Sequence, residues 1–382
     1  MNAVLTKAQK EEFVSRGFSR RSFGRIAAML GGGAAAMPFF NEPALAQLSK
    51  VSNLPEDAVL INANENPLGP CAEAREAVAR MIPYGGRYRY SEADKVVQLL
   101  QEQEGLKEGY VKVHPGSSGP LHQAVLAFTS PTRPLVVGDP GYEAAGRAAD
   151  FIGAKTIRVP LTKTYSHDVK AMAAASPNAG LIYICNPNNP TGTLTPQEEI
   201  RWLVANKPKD CIVMIDEAYT HISGAPFNSD LVAADKDVVI LRTFSKIYGM
   251  AGLRAGASLA RPDLQARIAG FSQTMMPITG MAAASASLQV KSLVSDRRIA
   301  IANVREDVFG FLEKHKFTYV PSVSNCFMID VKRPGRQVFD AMLKEKVVIG
   351  RTWAAWPNHV RVTVGTQEEM NKFKTAFLKV MA

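Results

Sequence analysis

Lys246 stands in the run TFSKIYGMAGLR, three residues after Thr243 and eight before Arg254. A lysine amine held among polar groups can form a Schiff base with a carbonyl compound. On a helix face the same lysine, and Arg254 with it, is only a solvated charge. Upstream, Asp216 ends the apolar run CIVMID. A carboxylate there is unfavourable unless a cation meets it or it caps a helix. Tyr219 follows three residues later, either as core packing or as a hydroxyl aimed at a ligand. Residues 186–192 read NPNNPTG, which alone is turn chemistry. Residues 116–119 read GSSG ahead of a helical stretch. That is either a plain strand-to-helix turn or a phosphate cradle of backbone N–H groups and helix dipole. It is neither GxGxxG nor GxxxxGK.

Together these residues form a set with one chemical use. Pyridoxal phosphate needs a lysine for its Schiff base, an aspartate to keep the ring nitrogen protonated, an asparagine and a tyrosine for the ring oxygen, and hydroxyls with an arginine for the phosphate. An aromatic side chain stacks on the ring. Lys246, Asp216, Asn189, Tyr219, Ser117, Ser118 and Arg254 supply those types in one chain.

The elements that must position them are short Val/Ile-rich runs: VKVHPG, LVVGDP, AGLIYICNP, CIVMIDEAY and VVILRTFS. Most are apolar on consecutive residues, as strands covered on both faces are, so a mostly parallel sheet flanked by helices is expected. The polar stretches HPGSSG, DPGY, NPNNPTG, DEAY and TFSK all fall at strand exits, the rim where open α/β sheets bind ligands. Helices are expected over 118–129 and 196–206, the second opened by a Thr195 cap with Pro196 in its first turn. After about residue 290 a long helical stretch leads to shorter strands, NCFMIDV and HVRVTVG, which read as a smaller α+β domain. The expected division is a large domain over 62–290 and a small one from 47–61 with 291–382.

The sequence resembles the fold-type I, class I/II aminotransferases, closest to the histidinol-phosphate aminotransferases. The strings that carry the resemblance are ANENP (63–67), GSSG (116–119), NPNNPTG (186–192), DEAY (216–219), TFSKIYGMAGLRAG (243–256) and RVTVGT (361–366). It implies that Lys246 is the Schiff-base lysine and proton carrier, that Asp216 holds the ring nitrogen, and that Asn189 and Tyr219 bind the ring oxygen. Tyr142, in DPGY, would stack on the ring. Ser117, Ser118, Thr243, Ser245 and Arg254 would hold the phosphate. Arg361 would grip the substrate α-carboxylate, with Asn64 of ANENP beside it. Tyr90, in RYRYSEAD, would reach the phosphate of a second copy, which implies a homodimer with shared sites. Arg351 is either a ligand for a phosphate or second carboxylate, or a salt-bridge partner. Trp353 and Trp356 either face substrate or belong to the small-domain core.

The first residues form a separate unit. FSRRSFGRIAAMLGGGAAAMPFF has paired arginines at 20–21 and an apolar stretch of about fifteen residues, and Ala44-Leu45-Ala46 follows. That order is expected of a twin-arginine export signal cleaved after Ala46, with residues 1–46 outside the fold and the enzyme periplasmic. The apolar part is too short to imply membrane insertion.

Over 382 residues, 46% are apolar and 21% charged, which suits a sizeable buried core. The net charge of +10 is scattered, with no basic stripe, so nucleic acid is not an expected partner and small anionic substrates are. Cys71, Cys185, Cys211 and Cys326 show no CxxC pairing, and no metal is expected. The function expected is transfer of an amino group between an amino acid, or a histidinol-phosphate-like amine, and a 2-oxo acid. The alternative is a pyridoxal-phosphate-dependent amino-acid decarboxylase or lyase on the same fold.

Overall fold

A computed structural model describes residues 5–31, 54–271 and 275–382. Its centre is a seven-stranded sheet of β2 (Val111–His114), β3 (Leu135–Asp139), β4 (Thr156–Pro160), β5 (Leu181–Cys185), β6 (Ile212–Asp216), β7 (Val238–Thr243) and β8 (Gly256–Ala260), in the order β2-β8-β7-β6-β5-β3-β4. β5, β6 and β7 are buried at every position, and helices cover both faces. That is why their sequences run apolar without alternation.

The strands from β7 to β4 are parallel, but β8 is antiparallel to both β7 and β2. This reversal was not signalled by the apolar runs. Its consequence is functional: two antiparallel steps return β2 to the direction of β7. The GSSG exit of β2 therefore lies on the same rim as the exits of β3, β5, β6 and β7.

Two small sheets lie outside this one. β1 (Val59–Ile61) pairs in parallel with β11 (Val347–Ile349). β12 (His359–Thr363) and β9 (Thr318–Val320) flank β10 (Cys326–Asp330) in antiparallel register, which sets Arg361 opposite Met328. The helix Leu293–Lys314 spans 22 residues, and Phe309 stacks from it on Tyr319 of β9 with ring centroids 4.5 Å apart.

The expected helices form at Ser118–Phe128 and Gln197–Asn206. The second differs at its start. Pro196 is the capping position, and the Thr195 hydroxyl instead accepts a hydrogen bond from the backbone of His167 at 3.1 Å. Pro196 has no side-chain acceptor to cap the helix, and the Thr195 hydroxyl, one residue further out, ties down a neighbouring loop.

Residues 5–31 do not stay outside the fold. They form helices Lys7–Ser15 and Ser22–Gly31, and Phe13, Phe18 and Ile26 are buried. The Phe13 ring meets Phe18 edge-on at 5.4 Å and Phe271 at 5.8 Å. The reading of a leader rested on the order of paired arginines, apolar stretch and small-x-small site; in the structure Phe13, Phe18 and Ile26 of the same segment are buried, and Phe13 meets Phe271 of the body. Arg20 and Arg21 are exposed between the two helices. The Ala44-Leu45-Ala46 site lies outside the described residues. Among the described residues no helix is long and apolar enough to cross a membrane.

Candidate active site

The strand exits meet around one cavity of about 330 Å³, within the range of small-ligand sites. It is lined by Ser117, Ser118, Tyr142, Asn189, Asp216, Tyr219, Thr243, Ser245, Lys246 and Arg254. Ten residues spread over more than 130 positions of sequence therefore converge on one space.

Asp216 is the last residue of β6 and is buried. Its Oδ2 accepts from the Tyr183 hydroxyl at 2.9 Å, and Oδ1 accepts from the Ala218 N–H at 3.2 Å. Burial pushes its carboxyl up to about 6; Tyr183, the Ala218 N–H and the charge of Lys246 pull the other way. A buried carboxylate in that balance suits a cationic partner such as a protonated ring nitrogen. Tyr183 sits two residues before the end of β5, and burial and then Asp216 drive its hydroxyl well above its ordinary range, so it stays a donor. Inside an all-apolar run it gave no sequence signal.

Lys246 is buried, with Nζ 3.4 Å from the Ala63 carbonyl and 5.7 Å from the Tyr219 ring centre. The Tyr219 hydroxyl accepts from Asn64 Nδ2 at 3.0 Å and from Asn189 Nδ2 at 3.4 Å. Asn64 was read as a substrate contact. In this structure its side chain bonds Tyr219 and Thr363, whose hydroxyl donates to Asn64 Oδ1 at 3.1 Å. It positions the tyrosine and ties the large sheet to β12.

The phosphate end is built at β2 and β7. Gly116 has φ +81°, and a Cβ there would overlap the Arg254 guanidinium. Only glycine lets the loop approach that cation. Arg254 itself has φ 55°, an uncommon conformation for a side-chain-bearing residue. It is fixed by Nη1 on the Ala251 carbonyl at 3.0 Å and Nη2 on the Pro115 carbonyl at 3.2 Å. Thr243 Oγ1 donates to Ser245 Oγ at 2.9 Å, and Ser117 and Ser118 open the helix Ser118–Phe128. Hydroxyls, a helix N-terminus and a guanidinium make an anion site. With Asp216 at one end, this anion site at the other and Lys246 between, the residues fit pyridoxal phosphate.

Arg361 is fully buried. Nη1 donates to Asn189 Oδ1 at 2.9 Å, and Nη2 donates to the Asn62 carbonyl. Asn189 thus touches both Tyr219 and Arg361. Trp353 is buried, and its Nε1 donates to the Gly141 carbonyl at 2.9 Å, one residue before Tyr142. Arg351 forms an ion pair with Glu143, a partner the sequence did not suggest. Tyr90 is not brought to this cavity. It is exposed and stacks on Tyr88 at 5.7 Å, in a patch with exposed Ile82 and Tyr84.

This sheet and this constellation define a pyridoxal-phosphate enzyme of fold type I. The chain belongs to the aminotransferase class I and II family, whose model matches residues 56–377. It is 33% identical to a histidinol-phosphate aminotransferase of Symbiobacterium thermophilum over 84% of this chain and 90% of that one. It is 31% identical to an aromatic amino acid aminotransferase of Cutibacterium acnes, over 83% of this chain and 91% of the relative. Among solved structures it resembles the histidinol-phosphate aminotransferase of Sinorhizobium meliloti in complex with pyridoxal-5'-phosphate. The TM-score is 0.80 at 25% identity, covering 90% and 95% of the two chains. The protein is a pyridoxal-phosphate-dependent aminotransferase.

Proposed function

We propose that this aminotransferase moves the amino group of an α-amino acid to a 2-oxo acid through Lys246, that it works as a homodimer, and that it is exported. Pyridoxal phosphate supplies an electron-withdrawing ring that takes up the electron pair left at the substrate α-carbon. Asp216 holds a proton on the ring nitrogen, and Tyr183 and the Ala218 N–H hold Asp216. Asn189 and Tyr219 orient the ring oxygen. Ser117, Ser118, Thr243, Ser245 and Arg254 would carry the phosphate, and Tyr142 would stack on the ring. Lys246 Nζ would anchor the cofactor and, once displaced by the substrate amine, would accept the α-proton as base and give it back as acid.

The observation that carries the substrate reading is Arg361. A buried guanidinium already bound to Asn189 is placed to hold an α-carboxylate next to the reacting carbon. A carboxylate gripped this way is retained, which favours amino transfer over decarboxylation. The dimer reading is supported by the exposed aromatic patch around Tyr88 and Tyr90. Export is supported by the exposed Arg20–Arg21 pair and the small-residue site at 44–46.

The test is the visible spectrum of purified holoenzyme against a panel of amino acids. A shift of the yellow band to the amine form of the cofactor is expected with α-amino acids, and in Arg361→Ala that shift should need far higher concentrations. Equal response of Arg361→Ala to α-amino acids and to amines without a carboxylate would remove the carboxylate assignment. Size and fractionation measurements decide the dimer and the address.

A further inference from the structure

Trp353 lies close to two arginines, Arg361 and Arg351. Its indole centre lies 5.4 Å from the Arg361 guanidinium carbon and 4.0 Å from that of Arg351. Arg361 bonds the cavity-lining Asn189, and Trp353 bonds the Gly141 carbonyl beside the cavity-lining Tyr142, so a substrate with its α-carboxylate on Arg361 would extend its side chain past Trp353 toward Arg351. The surroundings are apolar: Trp353 packs with Val320 and Met328, and Tyr165 and Trp356 pack against that cluster. Tyr165 meets Trp356 edge-on at 5.5 Å.

The Arg351 charge on this wall is already answered. Arg351 is ion-paired with Glu143, the residue after the ring-stacking Tyr142, and the other Glu143 oxygen lies 3.6 Å from Arg147. Arg351 is nearly buried, whereas Arg147 is part-exposed, so the inner pair dominates the electrostatics.

We infer that Glu143 is a specificity-determining residue: it occupies the Arg351 guanidinium as an internal anion, so the site selects amino acids with uncharged, especially aromatic, side chains and disfavours those with a second carboxylate or a phosphate. A second anionic group would have to break the Glu143–Arg351 pair and then lie beside the displaced Glu143 carboxylate. A neutral side chain pays neither penalty and gains contact with the indole. The inference rests on Arg361 as the α-carboxylate grip.

The experiment measures binding to holoenzyme of 3-phenylpropanoate and of glutarate, with first half-reaction rates for L-phenylalanine and L-glutamate alongside. Wild type is expected to favour 3-phenylpropanoate by about ten-fold or more. Glu143→Gln removes the anion that faces Arg351 and should shift that ratio toward glutarate by about ten-fold or more, and Glu143→Gln with Arg351→Gln should return it toward wild type. If Glu143→Gln does not fold, Arg351→Gln decides: it leaves Glu143 facing the substrate and should move the ratio further from glutarate. Wild type favouring glutarate, or a ratio indifferent to these substitutions, overturns the inference. An Arg361→Ala variant separates the two readings. If it binds 3-phenylpropanoate as wild type does, the carboxylate grip is wrong, whatever the Glu143 ratio shows.

Discussion

The Tyr183 hydroxyl donates to Oδ2 of Asp216 at 2.9 Å across neighbouring strands, and both side chains are buried. The pairing register sets Cys185 beside Asp216, so Tyr183, two residues earlier on the same face, reaches it diagonally. The Asp216 carboxylate, which lines the cavity, is thereby held by a strand it does not belong to.

Tyr183→Phe removes that donor without changing the ring. A hydrogen bond to a buried carboxylate contributes about 1.5–3 kcal/mol. The Asp216 carboxyl should rise further, and its hold on the ring proton should weaken. Cofactor affinity is expected to fall about ten-fold or more, and turnover with it, while inorganic phosphate still competes at the anion site. Unchanged cofactor affinity would reduce Tyr183 to packing.

The Asp216 shift also predicts a dependence of stability on pH. Its folded value, about 6, lies above the ordinary 3.8. In protein stripped of cofactor the folded state holds this proton more tightly, so its contribution to stability falls as pH rises from about 4 to about 6. Asp216→Asn should then be more stable than wild type at pH 7, by up to roughly 3 kcal/mol, and equal to it near pH 4. With cofactor bound the order should reverse. His167 acts with the opposite sign. Burial lowers it from 6.5 to about 4, so the folded state loses stability as pH falls through that window. Urea midpoints of wild type, Asp216→Asn and His167→Asn across pH 4–8 separate the two contributions.

The chemical residues were legible because each strand exit carries a polar string that an apolar strand does not need. The partners that hold them were less so. Tyr183 is hidden in a run that reads as uniform strand. Glu143 and Arg351 are more than 200 positions apart, and only the fold makes them neighbours. Asn64 was seen, but its bonds to Tyr219 and Thr363 were not, because nothing local distinguishes an amide facing substrate from one facing Tyr219. The reversal of β8 was missed for a similar reason: burial on both faces gives the same apolar run whichever way the strand points.

Behind the ligand rim, Arg242 of β7 bonds two carboxylates. Its Nε reaches Glu217 at 2.6 Å and Nη1 reaches Glu104 at 2.7 Å, and its guanidinium lies 3.9 Å from the Phe227 ring centre. Arg242 precedes Thr243, and Glu217 follows Asp216. Arg242→Met leaves the buried Glu217 and the half-buried Glu104 without their cation and should destabilise the protein by roughly 3–5 kcal/mol. Adding Glu217→Gln should recover part of that loss. A denaturant midpoint unmoved by Arg242→Met would show that the network contributes nothing net.

The amino-terminal helices give the last prediction. Arg16 lies within 5.5 Å of the Phe13 and Phe18 ring centres and donates to the carbonyls of Leu126 and, at 2.7 Å, Thr129. Those carbonyls end the helix Ser118–Phe128, whose other end forms the phosphate loop. A cation there complements the helix dipole, and the buried Phe13 adds apolar contact. Phe13→Ala in the full chain should lower the melting midpoint, since truncating a buried phenylalanine costs about 3–5 kcal/mol where its neighbours are ordered. Removal of residues 1–46 should lower it too, with the cofactor spectrum unchanged because none of the described residues of 1–46 lines the cavity. Equal midpoints for all three proteins would mean that the two helices dock without contributing stability, and that the segment acts only as a leader.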